Sequence, residues 1–420
     1  MVLEKSRVGT ESSIVAYFMS IALSSSPLPP LSTLIELGKL LGLKWIPDHP
    51  IRPSAVDSVL KRRGCSKDFI ELYKEAWIST STGSRENLNF LASRFLDDLR
   101  EKVESTSWTA GFVLTAVVTV AILFPLVLNL IYAFTAPNAG IRVSVLSMLF
   151  VAIGSLITVL LIPQHLHLPL ENRILAYALA PLALVAPLYF ILHNITVALL
   201  ITTIPSSLIL FKHQKKLLES LKKGENILSV MCTTKDITLA GIRNPRKLLS
   251  REFWGFMRYA LATLFILLKS GSEKYFDYVS KLSNFVKEYR RLFFSMRRRG
   301  LAILAACLFM TALAASMYAI SYATLENLSE LGYSLGGVMR RSGFEFPTRE
   351  NLATIRTIID FSLVTISASL ALIAACFRDA NPSYTLMYLP VFLLVSALMY
   401  NITLNYIAPQ LIPKLKVYRL

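Results

Sequence analysis

The chain has 420 residues, is 54% hydrophobic and has a mean hydropathy of +0.53, too apolar for a soluble domain built around one core. Its 44 Lys and Arg outnumber 27 Asp and Glu, and the excess is concentrated in one block rather than spread along the chain. The four cysteines, Cys65, Cys232, Cys307 and Cys376, include no C-x-x-C pair, which argues against a disulfide framework or a zinc site.

The first apolar stretch, IVAYFMSIAL at 14–23, is too short to span a bilayer and runs into SSSPLPP rather than a cleavage-type motif. Ile14, Tyr17, Phe18 and Ile21 fall on one helical face, which predicts a packing helix of a soluble domain. Further on, residues 82–102 read TGSRENLNFLASRFLDDLREK, a turn at Gly83 between helices predicted at 69–77 and 88–103. Leu88, Leu91, Phe95 and Leu99 form the apolar face of the second helix. Arg94, Asp97, Asp98, Arg100, Glu101 and Lys102 alternate in sign along it, the pattern of a solvated face.

Charges then vanish from long stretches, and seven spans are predicted at about 111–134, 143–162, 174–192, 195–211, 301–323, 358–377 and 384–406. Residues 174–211 carry no Asp, Glu, Lys or Arg and are too long for one crossing, so a hairpin is expected near His193-Asn194. The uncharged run 380–413 is also long, with Pro390, Asn401 and Pro409 as candidate breaks. His165 and His167 in PQHLHLP fit an interfacial loop better than a metal site, since residues two apart share no helical face.

The fourth span ends in Lys212, Lys215, Lys216, Lys222 and Lys223. Residues 270–291, SGSEKYFDYVSKLSNFVKEYRR, repeat the device of 82–102, with Gly271 at the turn and a helix predicted at 252–269 before it. Lys287, Arg290, Arg291, Arg297, Arg298 and Arg299 gather before the fifth span, where they suit anionic lipid headgroups or an acidic protein face. Nucleic acid is disfavoured, because the cluster adjoins a span.

Residues 212–299 hold 20 Lys and Arg against 7 Asp and Glu, whereas 1–109 hold 14 against 13. Basic segments stay on the cytoplasmic side, and four spans separate the two stretches, so both are expected inside. The expected organisation is a cytoplasmic helical domain at 1–109, four spans within 110–211, a basic cytoplasmic domain at 212–299, and three spans within 300–420. The loop 324–357, balanced in charge and carrying the N-L-S acceptor motif at Asn327, would lie outside. The tail KLKVYRL would also lie outside, against its basic character. The expected class is thus all-α, a polytopic membrane protein with two cytoplasmic helical bundles.

The stretches ESSIVAYFMSIALSSSPLPPLSTLIELGK, SKDFIELYKEAWISTSTGSRENLNFLASRFLDDLREK and VVTVAILFPLVLNLIYAF resemble the archaeal pilus and archaellum assembly platforms. With SREFWGFMRYALATLFILLKSGSEKYFDYV, the likeness to these proteins of the type II secretion F-type, TadC-like family covers roughly 11–134 and 225–323. Residues 212–250 are shorter and more basic than the family pattern, and its glycine-rich C-terminal segment survives at most as Leu335-Gly336-Gly337. The resemblance implies a cell-membrane platform with a cytoplasmic N-terminus, no enzymatic activity and no cofactor. It further implies partnership with a hexameric secretion ATPase, for which the helix of Arg94, Asp97 and Asp98 becomes a candidate contact, and with pilin subunits; the oligomeric state, a homodimer among the options, is left open. No P-loop, G-x-G-x-x-G or H-E-x-x-H occurs, so nucleotide chemistry would come from the partner. The alternative is a secondary transporter with spans broken at Pro181, Pro187 and Pro205, although the first five spans lack the mid-membrane ionisable group such proteins keep.

Overall fold

The computed structural model describes residues 2–24, 26–116, 119, 127, 137–160, 166–234, 238–239, 241–250, 252–270, 275–334 and 349–411. Among these residues there is no strand. In chain order the helices are α1 (Val2–Ser24), α2 (Pro30–Leu41), α3 (Val56–Arg62), α4 (Lys67–Thr82), α5 (Glu86–Ala116), α6 (Pro137–Leu160) and α7 (Asn172–Leu179). They continue as α8 (Val185–Leu192), α9 (Ile195–Thr234), α10 (Gly255–Ser270), α11 (Tyr275–Ser334), α12 (Arg349–Asp379), α13 (Thr385–Ile402) and α14 (Ala408–Leu411).

One compact unit is assembled from Met1–Glu104, Pro163–Pro169 and Gln214–Ser295, and a second from Ser105–Ile162, Leu170–His213 and Met296–Leu420. Most of the two stretches expected to be soluble, 1–109 and 212–299, thus belongs to one compact unit.

In the first unit α1 packs against α2, α4 and α10. The single face expected for α1 understates its burial. Every residue from Val15 to Leu23 is buried, while Ile14 is only half-buried, so α1 is a central helix with partners all round. Tyr17 meets Phe95 of α5 edge-on at 5.6 Å. Phe18 stacks on Phe256 of α10 at 5.5 Å and meets Tyr289 of α11 edge-on at 5.7 Å. Adjacent side chains of α1 therefore face the two copies of the repeat. Each buried aromatic contributes about 1.5–3 kcal/mol through burial, with a further ~0.5–1.5 kcal/mol for a well-oriented ring pair.

Local signals fix the helix ends. Ser66 caps α4 by accepting from the Phe69 N–H at 3.2 Å, and Gly83 stops it at φ +74 with its N–H bonded to the Ser79 carbonyl. The helix consequently begins and ends outside the predicted 69–77. Leu166 and Leu168 of the loop before α7 are fully buried, with exposed His167 between them. Trp254 at the start of α10 donates from Nε1 to the Leu217 carbonyl of α9 at 2.9 Å and meets Phe293 of α11 at 5.6 Å.

In the second unit α12 packs against both α6 and α13. Buried Ala371, Ala374 and Ala375 allow the close approach of helices that small residues permit inside a membrane. Ser207 of α9 donates to the Met387 carbonyl at 2.7 Å, and Thr403 donates to Ser316 of α11 at 3.0 Å. The chain turns at His193, whose φ of 50 is left-handed, and Asn194 then caps α9 by accepting from the Val197 N–H. Of the three expected breaks in 380–413, Pro390 is accommodated inside α13, and the irregularity instead follows Asn401 as a π-helical turn at Thr403–Ile407.

Five described stretches are long and apolar enough to cross a membrane: Asn172–Leu192, Ile195–Thr234, Phe276–Glu330, Leu352–Asp379 and Pro382–Leu411. This makes the chain a multi-pass membrane protein. The expected span 143–162 is represented by a shorter apolar helix, Val145–Leu160. Most of the expected span 111–134 lies outside the described residues, as do 335–348 of the loop, the tail, His165 and Gly271.

Candidate functional site

The basic residues before the fifth apolar segment ride on α11, and helical geometry divides them into two sets. Lys287, Arg291 and Arg298 recur at spacings of four and seven, which keeps them on one exposed face with Arg299 beside them. Arg290 and Arg297, seven residues apart, share a different face, and both are engaged. Arg290 pairs with Glu225 of α9 and lies 5.4 Å from the centre of the Phe294 ring.

Arg297 turns towards Asp379, the last residue of α12, at 3.3 Å; their side chains are 10% and 0% exposed. The Tyr388 hydroxyl of α13 donates to the same carboxylate, and the Arg378 guanidinium lies 5.5 Å from the centre of the Tyr388 ring. A tight connection places these groups: Ala380 adopts φ 50, and Asn381 accepts from the Ser383 N–H at 2.9 Å. Gly300, one turn beyond Arg297, lies so close that a Cβ would stand 2.6 Å from the Arg378 Cα and 2.8 Å from the Phe377 oxygen. A side chain there would push α11 off the end of α12. Arg297 therefore leaves the set of surface docking residues, because a buried charge is tolerated only with its partners in place.

Distance along α11 separates the exposed cations further: counting back from Leu301 at ~1.5 Å per residue, Arg298 and Arg299 fall within about 5 Å of the apolar run, whereas Arg291 and Lys287 are about 15–21 Å away.

On α5, Arg94 donates two bonds to Glu71 of α4, at 3.1 and 3.0 Å. Asp97 lies 3.4 Å from Arg100, which also binds Glu288 of α11 at 2.8 Å. The carboxylates of Glu71 and Glu288 hold the Arg94 and Arg100 guanidinium groups above the ordinary arginine pKa. Arg94 is thus spent within the first copy of the repeat, and Arg100 joins that copy to the second. Asp97 and Asp98 remain on the exposed edge.

Two residues that matter here escape a reading of local pattern. Asp379 terminates an apolar helix 82 positions after Arg297, and Glu288 is 188 positions from Arg100. Nothing in the local pattern sets Arg290 and Arg297 apart, because Arg291 and Arg298 are seven residues apart as well. Among the described residues no group of His, Cys, Asp or Glu is arranged to hold a metal ion. Comparisons with protein-family models, with curated proteins and with solved structures find no match to this chain.

Proposed function

We propose that this chain is the membrane platform of a type IV filament assembly machine, coupling a cytoplasmic hexameric ATPase to the insertion of pilin subunits. The observation that supports this reading is the make-up of the first unit, in which both copies of the helix-turn-helix device pack around α1. Three helices, α5, α9 and α11, leave that unit without a break and continue into apolar sequence. A push on the first unit then reaches the lipid-embedded helices through continuous backbone, where a flexible linker would dissipate it. The N-terminus and the basic block lie in the cytoplasm of the cell-membrane protein, with Arg298 and Arg299 against anionic headgroups. The chain itself carries out no catalysis in this scheme.

A secondary transporter is the competing reading. Asp379 is the ionisable group nearest to favouring it, but its carboxylate is engaged by Arg297 and Tyr388, whereas ion coupling needs a group that exchanges its ligand between two faces.

The test is genetic and biochemical. Deleting the chain should abolish surface filaments while processed pilin accumulates in the membrane, and the tagged wild-type chain should restore them and copurify with the ATPase. Filaments persisting in the deletion strain would remove the platform role.

A further inference from the structure

Within the second unit, Ser367 of α12 and Ser396 of α13 are fully buried, and neither hydroxyl has a hydrogen-bond partner among the described residues. Their neighbours behave otherwise. Ser362 and Thr365 of α12 return their hydroxyls to the Ile358 and Phe361 carbonyls of the same helix, at 2.8 and 2.9 Å. α12 and α13 pack against each other across the short connection after Asp379, so they run antiparallel. Ser367 and Ser396 therefore stand at about the same height, each roughly 16–18 Å along its helix from that connection.

Asp360, seven residues before Ser367, shares its face of α12, and Tyr400, four residues after Ser396, shares its face of α13. The two faces meet, since Tyr400 lies within electrostatic reach of the Asp360 carboxylate. The Tyr400 hydroxyl is also buried and has no hydrogen-bond partner among the described residues. Leaving a buried hydroxyl unsatisfied costs about 1–3 kcal/mol, so three along one seam with a carboxylate at its end make a row of oxygen donors that the helices themselves do not use.

Charge decides what such a row can hold. Asp360 is half-buried and forms no ion pair among the described residues; Arg356, one turn earlier, acts on it through space. Glu326 and Tyr322 of α11 complete the titratable groups around Tyr400, and the described side chains of α6 add none. Two carboxylates against one guanidinium leave a deficit of one positive charge. Carboxylate and hydroxyl oxygens favour hard cations over soft ones.

We propose that Asp360, Tyr400, Ser396 and Ser367 form a binding site for a small hard monovalent cation, sodium or hydronium. Asp360 and the Tyr400 oxygen hold the ion at one end of the seam, and the two serine oxygens receive it or its water about 10 Å further along. The occupied site ties α12 to α13 and stabilises the folded chain. It goes beyond the platform reading and does not rest on it.

The experiment follows the thermal midpoint of the full-length chain in detergent, as sodium chloride replaces choline chloride at constant ionic strength. The wild-type midpoint should rise with sodium, because an ion bound only by the folded state adds stability. Asp360→Asn should abolish the rise, and Ser396→Ala should weaken the sodium affinity read from it by at least about threefold. Thr365→Ala, whose hydroxyl stays within its own helix, should leave the response as in wild type. The readout is the response to sodium rather than the midpoint itself, so a variant that is merely less stable still reports. Hydronium is the ligand if sodium has no effect but acidification from about pH 8 to about pH 6, above the range where ordinary carboxylates titrate, raises the wild-type midpoint more than that of Asp360→Asn. A wild-type midpoint indifferent to sodium and with the same pH dependence as Asp360→Asn would overturn the site. A sodium response that survives Asp360→Asn would overturn it equally.

Discussion

Removing the Arg297 side chain would leave the Asp379 carboxylate, which also accepts from the Tyr388 hydroxyl, buried without this cation. Breaking a buried pair in this way costs about 3–5 kcal/mol, whereas an exposed cation contributes roughly 0–1 kcal/mol. Arg297→Ala is therefore expected to lower the thermal midpoint of the detergent-solubilised protein by many degrees, while Arg298→Ala leaves it within experimental scatter. Equal midpoints for the two variants would place Arg297 on the surface with its neighbours. The sequence displayed the arginine cluster but treated its members alike, because sign and proximity to a span are properties they share. What separates them is the partner, and Asp379 reads locally as an ordinary charge ending an apolar helix. Arg290 and Glu225 illustrate the same limit, being 65 positions apart.

At the scale of the element, α1 and the paired helices of the repeat depend on one another. IVAYFMSIAL was legible as a packing helix because it was too short to span a bilayer and too apolar to stand in water. Its burial on every side was not legible, since that follows from α2, α4 and α10 closing around it, and periodicity within a segment cannot report how many partners it has. The turn at Gly83 was visible because a left-handed helix end has a chemical signature, and φ +74 there agrees with it. Phe18 lies within aromatic contact of Phe256, Tyr259 and Tyr289, so Phe18→Ala opens a cavity between α1 and the second copy of the repeat. A loss of about 3–5 kcal/mol is expected. Limited proteolysis should then cut within 1–104 and 214–295 together, because the two stretches belong to one folded unit. Cleavage confined to one stretch would show that each holds its own fold.

For the whole molecule, the composition of the first unit restricts the topology independently of charge. Met1–Glu104, Pro163–Pro169 and Gln214–Ser295 can fold together only if an even number of crossings separates each from the next. The excess of Lys and Arg in 212–299 makes the cytoplasmic face the expected one for all three, which is a prediction to be measured. The native cysteines offer a direct measurement. Cys307 and Cys376 are buried within the second unit, and Cys65 is buried in the first, where burial pushes its thiol up to about 11. At pH 7.5 such a thiol is thiolate in roughly three molecules per ten thousand, too few to compete for reagent. Cys232 on α9 is partly exposed and should dominate labelling. A membrane-impermeant maleimide should therefore leave intact cells unlabelled and modify the chain after the membrane is opened, with the signal lost in Cys232→Ser. Labelling of Cys232 in intact cells would place 214–295 outside. Because Met1–Glu104 folds with that segment, it would carry the N-terminus outside with it, beyond the reach of any cytoplasmic motor.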